Sequence, residues 1–202
     1  MPAPARLLLV ALCLLPALAA GKPKVFKAAR LFDGKSDALV TPGIVVIDGD
    51  RIVSAGPRAT IPDGAEVLDL GDATLMPGLM DAHTHLTGEL SDDWNRDELD
   101  AFKKTIPEQA FDTLAYARRT IEAGFTTVRD LGSHDFLDIG LRNAIRAGKV
   151  PGPRMLIAVN PLSSRGGHCD ATAGYRPGLL PEPGPTNGVL AGPDQARDAV
   201  RF

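Results

Sequence analysis

His83 and His85 stand one residue apart at the end of the stretch LMPGLMDAHTHL, Leu75 to Leu86. In a strand, alternate side chains share a face, so Asp81, His83 and His85 are expected to point one way and Ala82 and Thr84 the other. Two imidazoles side by side can grip one metal ion. A metal site takes at least three protein ligands, and a catalytic one keeps a position for water, so two histidines imply partners. Asp81 and His168 are the candidates in view. Cys169 follows His168 directly. Adjacent residues do not face each other and no helix N-terminus precedes it, so a cysteine–histidine nucleophile is not expected.

The elements that must position these residues follow from the spacing of apolar residues. Between Lys22 and Leu75, short apolar or alternating segments separated by turn residues predict five or six strands, with Asp48-Gly49-Asp50 as a hairpin turn in which Gly49 takes positive φ. After His85 the period changes: Ala110, Leu114, Ala117 and Ile121 recur at helical steps, with Pro107 near the start and Gly124 past the end. A strand, FTTVRDL from Phe125 to Leu131, comes next, then a second helix carrying Leu137, Leu141, Ala144 and Ile145, then a strand RMLIAV from Arg154 to Val159. With Leu79 to His83 as the first strand, this alternation predicts α/β architecture with a parallel sheet whose strands are buried. His134 is expected near the start of the second helix as a surface residue, with Ser133 or Asp135 near the cap. From Asn160 to Pro193 the sequence is aperiodic and rich in glycine and proline, and His168 lies inside it. A last helix is expected from Pro193. Trp94, in the acidic stretch ELSDDWNRDELD, is expected either to cover the site or to pack on its rim.

Composition bounds the partners. The 202-residue chain is 44% hydrophobic with net charge −3, and its basic residues form no run, which excludes a nucleic-acid footprint. Arg6, the apolar run Leu7 to Leu15 and the small residues Ala17 and Ala19 make residues 1–19 a signal peptide, too short and too broken by Pro16 to be a lasting membrane anchor. A lipidated Cys13 is disfavoured by its bulky neighbour Leu12. The expected location is periplasmic or secreted. The mature chain then keeps only Cys169, so no internal disulfide is expected.

LMPGLMDAHTHL, VVIDGDRIVSAG, AGFTTVRDLG and GPRMLIAV followed by GGHCD, in that order, resemble the amidohydrolase superfamily. Within it they are most similar to imidazolonepropionase-like and Xaa-Pro dipeptidase-like members. The resemblance runs from about Lys24 to the end of the chain. It implies a small β-sandwich over residues 20–77 and, over 78–202, the first part of a (β/α)8 TIM-like barrel. It implies His83 and His85 as ligands of one or two divalent ions, zinc first and manganese, cobalt or iron as alternatives, and His168 as a substrate contact. Asp81 matches a supporting position. Arg129 and Asp130 match a rim-orienting pair, the plainer expectation being a salt bridge between them.

The implied activity is hydrolysis of C–N bonds in small amide or dipeptide-like substrates, Xaa-Pro peptides among them, by metal-activated water. The family's bridging lysine, later histidines and proton-handling aspartate are expected beyond Phe202, so no catalytic residue is assigned within this chain. A truncated, non-catalytic metal-binding remnant and a lactonase or phosphotriesterase-like hydrolase are the alternatives. Unpaired apolar strands would favour poor solubility or homo-oligomers.

Overall fold

A computed structural model describes residues 21–201; the signal-peptide reading and Cys13 lie outside them. The described chain forms two compact units, one ending at Pro77 and one beginning at Gly78.

The first unit holds β1 (Lys24–Ala28), β2 (Arg30–Leu31), β3 (Gly43–Asp48), β4 (Arg51–Ala55), β5 (Glu66–Asp69) and β6 (Thr74–Leu75). Four strands make one sheet in the order β4-β3-β1-β5, antiparallel except that β1 and β5 run parallel, while β2 and β6 pair separately. The β3–β4 hairpin turns at Gly49, whose φ of 58° needs no Cβ. Alternation buries Val25, Ile44 and Val46 on one face, where Ala59 and Ala65 close over them. The opposite residues Phe26, Val45 and Ile47, with Leu31, Val40 and Leu75, line an apolar cleft of about 630 Å³.

The second unit is α/β. Its parallel sheet is β7 (Leu79–Thr84), β8 (Phe125–Asp130) and β9 (Arg154–Ile157), in that spatial order. Two helices, α1 (Trp94–Lys103) and α2 (Ile106–Glu122), separate β7 from β8, and α3 (Leu137–Arg146) separates β8 from β9. At the start of α2 the Glu108 carboxylate accepts from the backbone N–H and the hydroxyl of Thr105, both at 2.7 Å, and Gly124 ends the helix at φ 94°. Leu86, Ala117, Val128, Leu141 and Met155 form the core between sheet and helices, with Leu114 and Ile145 packed against it. The helices cover one face only. Met80 (77% exposed) and Leu156 (55%) remain open, so the strands are half-buried rather than buried on both faces as expected.

One local expectation fails, and one helix lies where none is expected. Helix α1 forms inside the acidic stretch, with Asp93 accepting the Arg96 N–H at 3.1 Å at its start; it buries no residue, and Trp94 is 63% exposed. The start of α3 is not capped by Ser133 or Asp135. Asp135 and Phe136 are left-handed (φ 50° and 58°), and the Asp135 carboxylate instead holds His134 Nδ1 at 2.9 Å.

The aperiodic segment is stitched by β10 (Ser163–Ser164), parallel to β11 (Val189–Leu190), with a short 3-10 turn at Pro185–Asn187 between them. A final helix, α4, spans Pro193–Arg201.

Candidate metal centre

β7 carries the histidines to the carboxyl end of the parallel sheet. Its pairing with β8 sets Asp81 opposite Val128 and Thr84 opposite Asp130, with a register shift between the two pairs. The shift interrupts strict alternation between Asp81 and Thr84; the Asp81 carboxylate accepts the His83 backbone N–H at 2.9 Å, and Asp81 and His85 line one cleft. His83 and His85 do come together. Their ring centroids are 5.4 Å apart at an interplanar angle of 67°.

The His85 ring is oriented by main chain. Its Nδ1 lies 3.0 Å from the Gly132 carbonyl oxygen, which can only accept, so Nδ1 carries a proton and, in the neutral ring, Nε2 is the nitrogen left to bind a ligand. Gly132 itself is closely walled: a Cβ there would meet the Pro161 ring at 2.7 Å.

Asp130, at the end of β8, is fully buried. Its carboxylate accepts the Leu86 N–H at 2.7 Å and the Gly132 N–H at 3.4 Å. Burial pushes its pKa above the ordinary value of 3.8; the two amides and nearby His85 oppose that rise, while Asp138 adds to it. Arg129 makes no salt bridge to it. The Arg129 Nε donates to the Ala82 carbonyl at 2.9 Å, binding β8 to β7, so the expected internal ion pair gives way to two separate contacts to the strand end. Thr84 adds another: its hydroxyl lies 3.3 Å from the Arg129 carbonyl, and its own carbonyl accepts the Leu131 N–H at 3.0 Å.

His168 is exposed on the turn after β10, held by neighbours rather than by its own ring. Cys169 N–H donates to Ser163 Oγ at 3.2 Å, and the buried Asp170 carboxylate accepts from Gly166 N–H, Thr172 N–H and Thr172 Oγ at 2.6–2.9 Å. These bonds keep the Asp170 pKa below the ordinary 3.8. Among the described residues no cluster of three or more histidine, cysteine, aspartate or glutamate side chains is assembled to hold a metal, so neither His168 nor Asp81 joins the pair. A cleft of about 410 Å³ is lined by His85, Thr87, Asp97, Lys104, Asp112 and His134 among others. The site residues that sequence reasoning missed are Gly132, which acts through its carbonyl, and His134, which shares this cleft.

The amidohydrolase family matches residues 74–194. The chain is 50% identical over 60 residues to the imidazolonepropionase of Pseudomonas paraeruginosa, a stretch covering 29% of this chain and 15% of that protein. Among solved structures, a Xaa-Pro dipeptidase with methionine bound in its active site superposes with a TM-score of 0.79 at 35% identity, over 89% of this chain and 44% of that one. A prolidase in complex with N-methylphosphonate-L-proline gives 0.71 at 29% identity, over 89% and 43%. The chain thus spans less than half the length of the solved relatives it matches. With its strand-end histidine pair on a parallel α/β sheet and a family match over more than half its length, the chain belongs to the amidohydrolase family.

Proposed function

We propose that this chain is part of a metal-dependent hydrolase of carbon–nitrogen bonds in which His83 and His85 are two ligands of a divalent ion. The observation that carries the reading is the pair of imidazoles 5.4 Å apart at the carboxyl end of β7, with the His85 Nδ1 proton committed to a carbonyl so that Nε2 is available. Strand ends of this kind are where parallel α/β folds place their chemistry.

The donors fit such an ion as far as they go. Neutral imidazole suits zinc, while manganese, cobalt or iron suits a site completed by oxygen ligands. A bound divalent ion supplies an electrophile that lowers the pKa of water toward neutrality and polarises a carbonyl. The chain's own part is to present two imidazoles in fixed orientation and to hold the strand end rigid through Thr84, Arg129 and Asp130. The further ligands and the carboxylate that moves the proton are assigned to barrel strands outside this chain. On this reading β7 to β9 begin a (β/α)8 barrel, the unit ending at Pro77 contributes to a β-sandwich, and His168 reaches the substrate from its loop. Residues 1–19 direct export to the periplasm or beyond.

Likeness to a Xaa-Pro dipeptidase and a prolidase favours dipeptide-like substrates, and likeness to an imidazolonepropionase favours a small cyclic amide. The test is turnover of a panel of Xaa-Pro and other dipeptides and cyclic amides by the intact protein, before chelation, after it, and with zinc restored. Loss on chelation, recovery with metal and background rates in His83→Ala are expected. Turnover that survives chelation would contradict the proposal.

A further inference from the structure

Asp130 has two carboxylate bonds, and both lead to His85. The Leu86 N–H that it accepts at 2.7 Å belongs to the peptide unit formed with the His85 carbonyl, so this bond anchors the main chain immediately after the histidine. The Gly132 N–H, at 3.4 Å, lies one Cα away from the carbonyl that accepts His85 Nδ1–H at 3.0 Å. That carbonyl cannot drift easily, because Gly132 is buried and the Pro161 ring fills the place of a Cβ.

Burying a carboxylate without a cation is costly unless its lone pairs are used. Asp130 is 0% exposed, its neighbour Arg129 is turned to the Ala82 carbonyl, and the amides that satisfy it flank the imidazole's position. A residue serving only to pack β8 against the helices would be as well served by an apolar side chain, as Val128 is on the same strand. The hydrogen bonds also have a direction. The carboxylate holds the two backbone segments, and the backbone in turn fixes which ring nitrogen of His85 carries its proton.

We propose that Asp130 is a positioning residue for His85, clamping the backbone on both sides of the ring so that the Nδ1–H tautomer is kept and Nε2 faces a ligand. It does so through Leu86 and Gly132 and touches no reacting atom. The inference rests on His85 being a metal ligand, but its first readout needs no metal.

The experiment is long-range ¹H–¹⁵N correlation of the histidine rings in the intact, chelator-treated protein at a pH where they are neutral, followed by a zinc titration. Wild type is expected to show His85 as the Nδ1–H tautomer. Asp130→Asn, which keeps one acceptor oxygen, is expected to move His85 toward the Nε2–H form and to weaken zinc binding roughly 10- to 100-fold. Asp170→Asn is the control, since Asp170 is also buried and bonded to two amides, Gly166 and Thr172, and neither of them bonds to His85. An unchanged ring in Asp130→Asn, or an equal change in Asp170→Asn, overturns the proposal. So does an Nε2–H tautomer in wild type, a reading that holds even if Asp130→Asn does not fold. A tautomer that responds to Asp130 in a protein that binds no zinc would support the positioning role and count against the proposed function instead.

Discussion

Asp138 offers the sharpest stability test in the second unit. It sits in the first turn of α3 with 0% exposure, and its carboxylate accepts the Ile139 N–H at 2.8 Å and the Val159 N–H at 3.0 Å. The second bond fixes the end of β9 to the start of α3 in a residue whose φ is 65°. A β-branched residue in that region is strained by about 1–2 kcal/mol, so the bond holds a conformation the chain would otherwise leave. Asp138→Ala removes both acceptors and leaves two part-buried amides without their partner. At about 1.5–3 kcal/mol for each bond to a charged group, and with some strain released at Val159, the expected loss is about 2–5 kcal/mol. Asp138→Asn keeps one acceptor and should cost about half as much. Hydrogen exchange followed by mass spectrometry reads it directly: peptides covering 137–146 and 154–160 should lose protection together. If they keep it, or if urea unfolding of the intact protein moves by less than about 0.5 kcal/mol, the clamp carries no stability and the reasoning is wrong.

Other outcomes follow from the same contacts. Leu141, 3% exposed in the core beneath β8 and β9, should cost about 2–5 kcal/mol when changed to alanine, measured by urea unfolding. Asp170 has a native pKa below 3.8 because Thr172 and Gly166 donate to its carboxylate, so its stabilisation is complete above 3.8 and is lost as pH falls through the lower native value. The protection of the Gly166 amide, corrected for the pH dependence of intrinsic exchange, should therefore fall on acidification in wild type and lose that dependence in Asp170→Asn. Tyr175 donates to Glu98 at 2.6 Å, joining the loop between β10 and β11 to α1, so Tyr175→Phe should speed proteolysis within α1. Equal cleavage rates in the two proteins would show that this contact does not hold α1.

What could be read from the sequence was whatever depends on periodicity and turn chemistry. Ala110, Leu114, Ala117 and Ile121 with Pro107 and Gly124 outline α2, and Asp48-Gly49-Asp50 marks the β3–β4 turn. Family kinship was legible from four ordered motifs, and the histidines' proximity from their spacing. Helix α1 was hidden because its apolar residues Trp94, Leu99 and Phe102 are exposed, so no buried stripe disciplines their spacing. The Asp81–Thr84 register shift was hidden because a bulge depends on the partner strand, which alternation within one strand does not record. Asp130 reads as a rim-orienting residue or an ion-pair partner of Arg129, and Asp138 carries no mark in the sequence; both are buried, because their partners are backbone N–H groups that any residue could supply. For the same reason the Gly132 carbonyl left no mark.

The most direct test of the central claim is X-ray absorption at the metal edge of the zinc-loaded intact protein, beside His83→Ala/His85→Ala. Imidazole scattering with a Zn–N distance of about 2.0–2.1 Å, reduced by two nitrogens in the double variant, is the predicted result. An identical spectrum from both proteins would mean that the two histidines hold no metal.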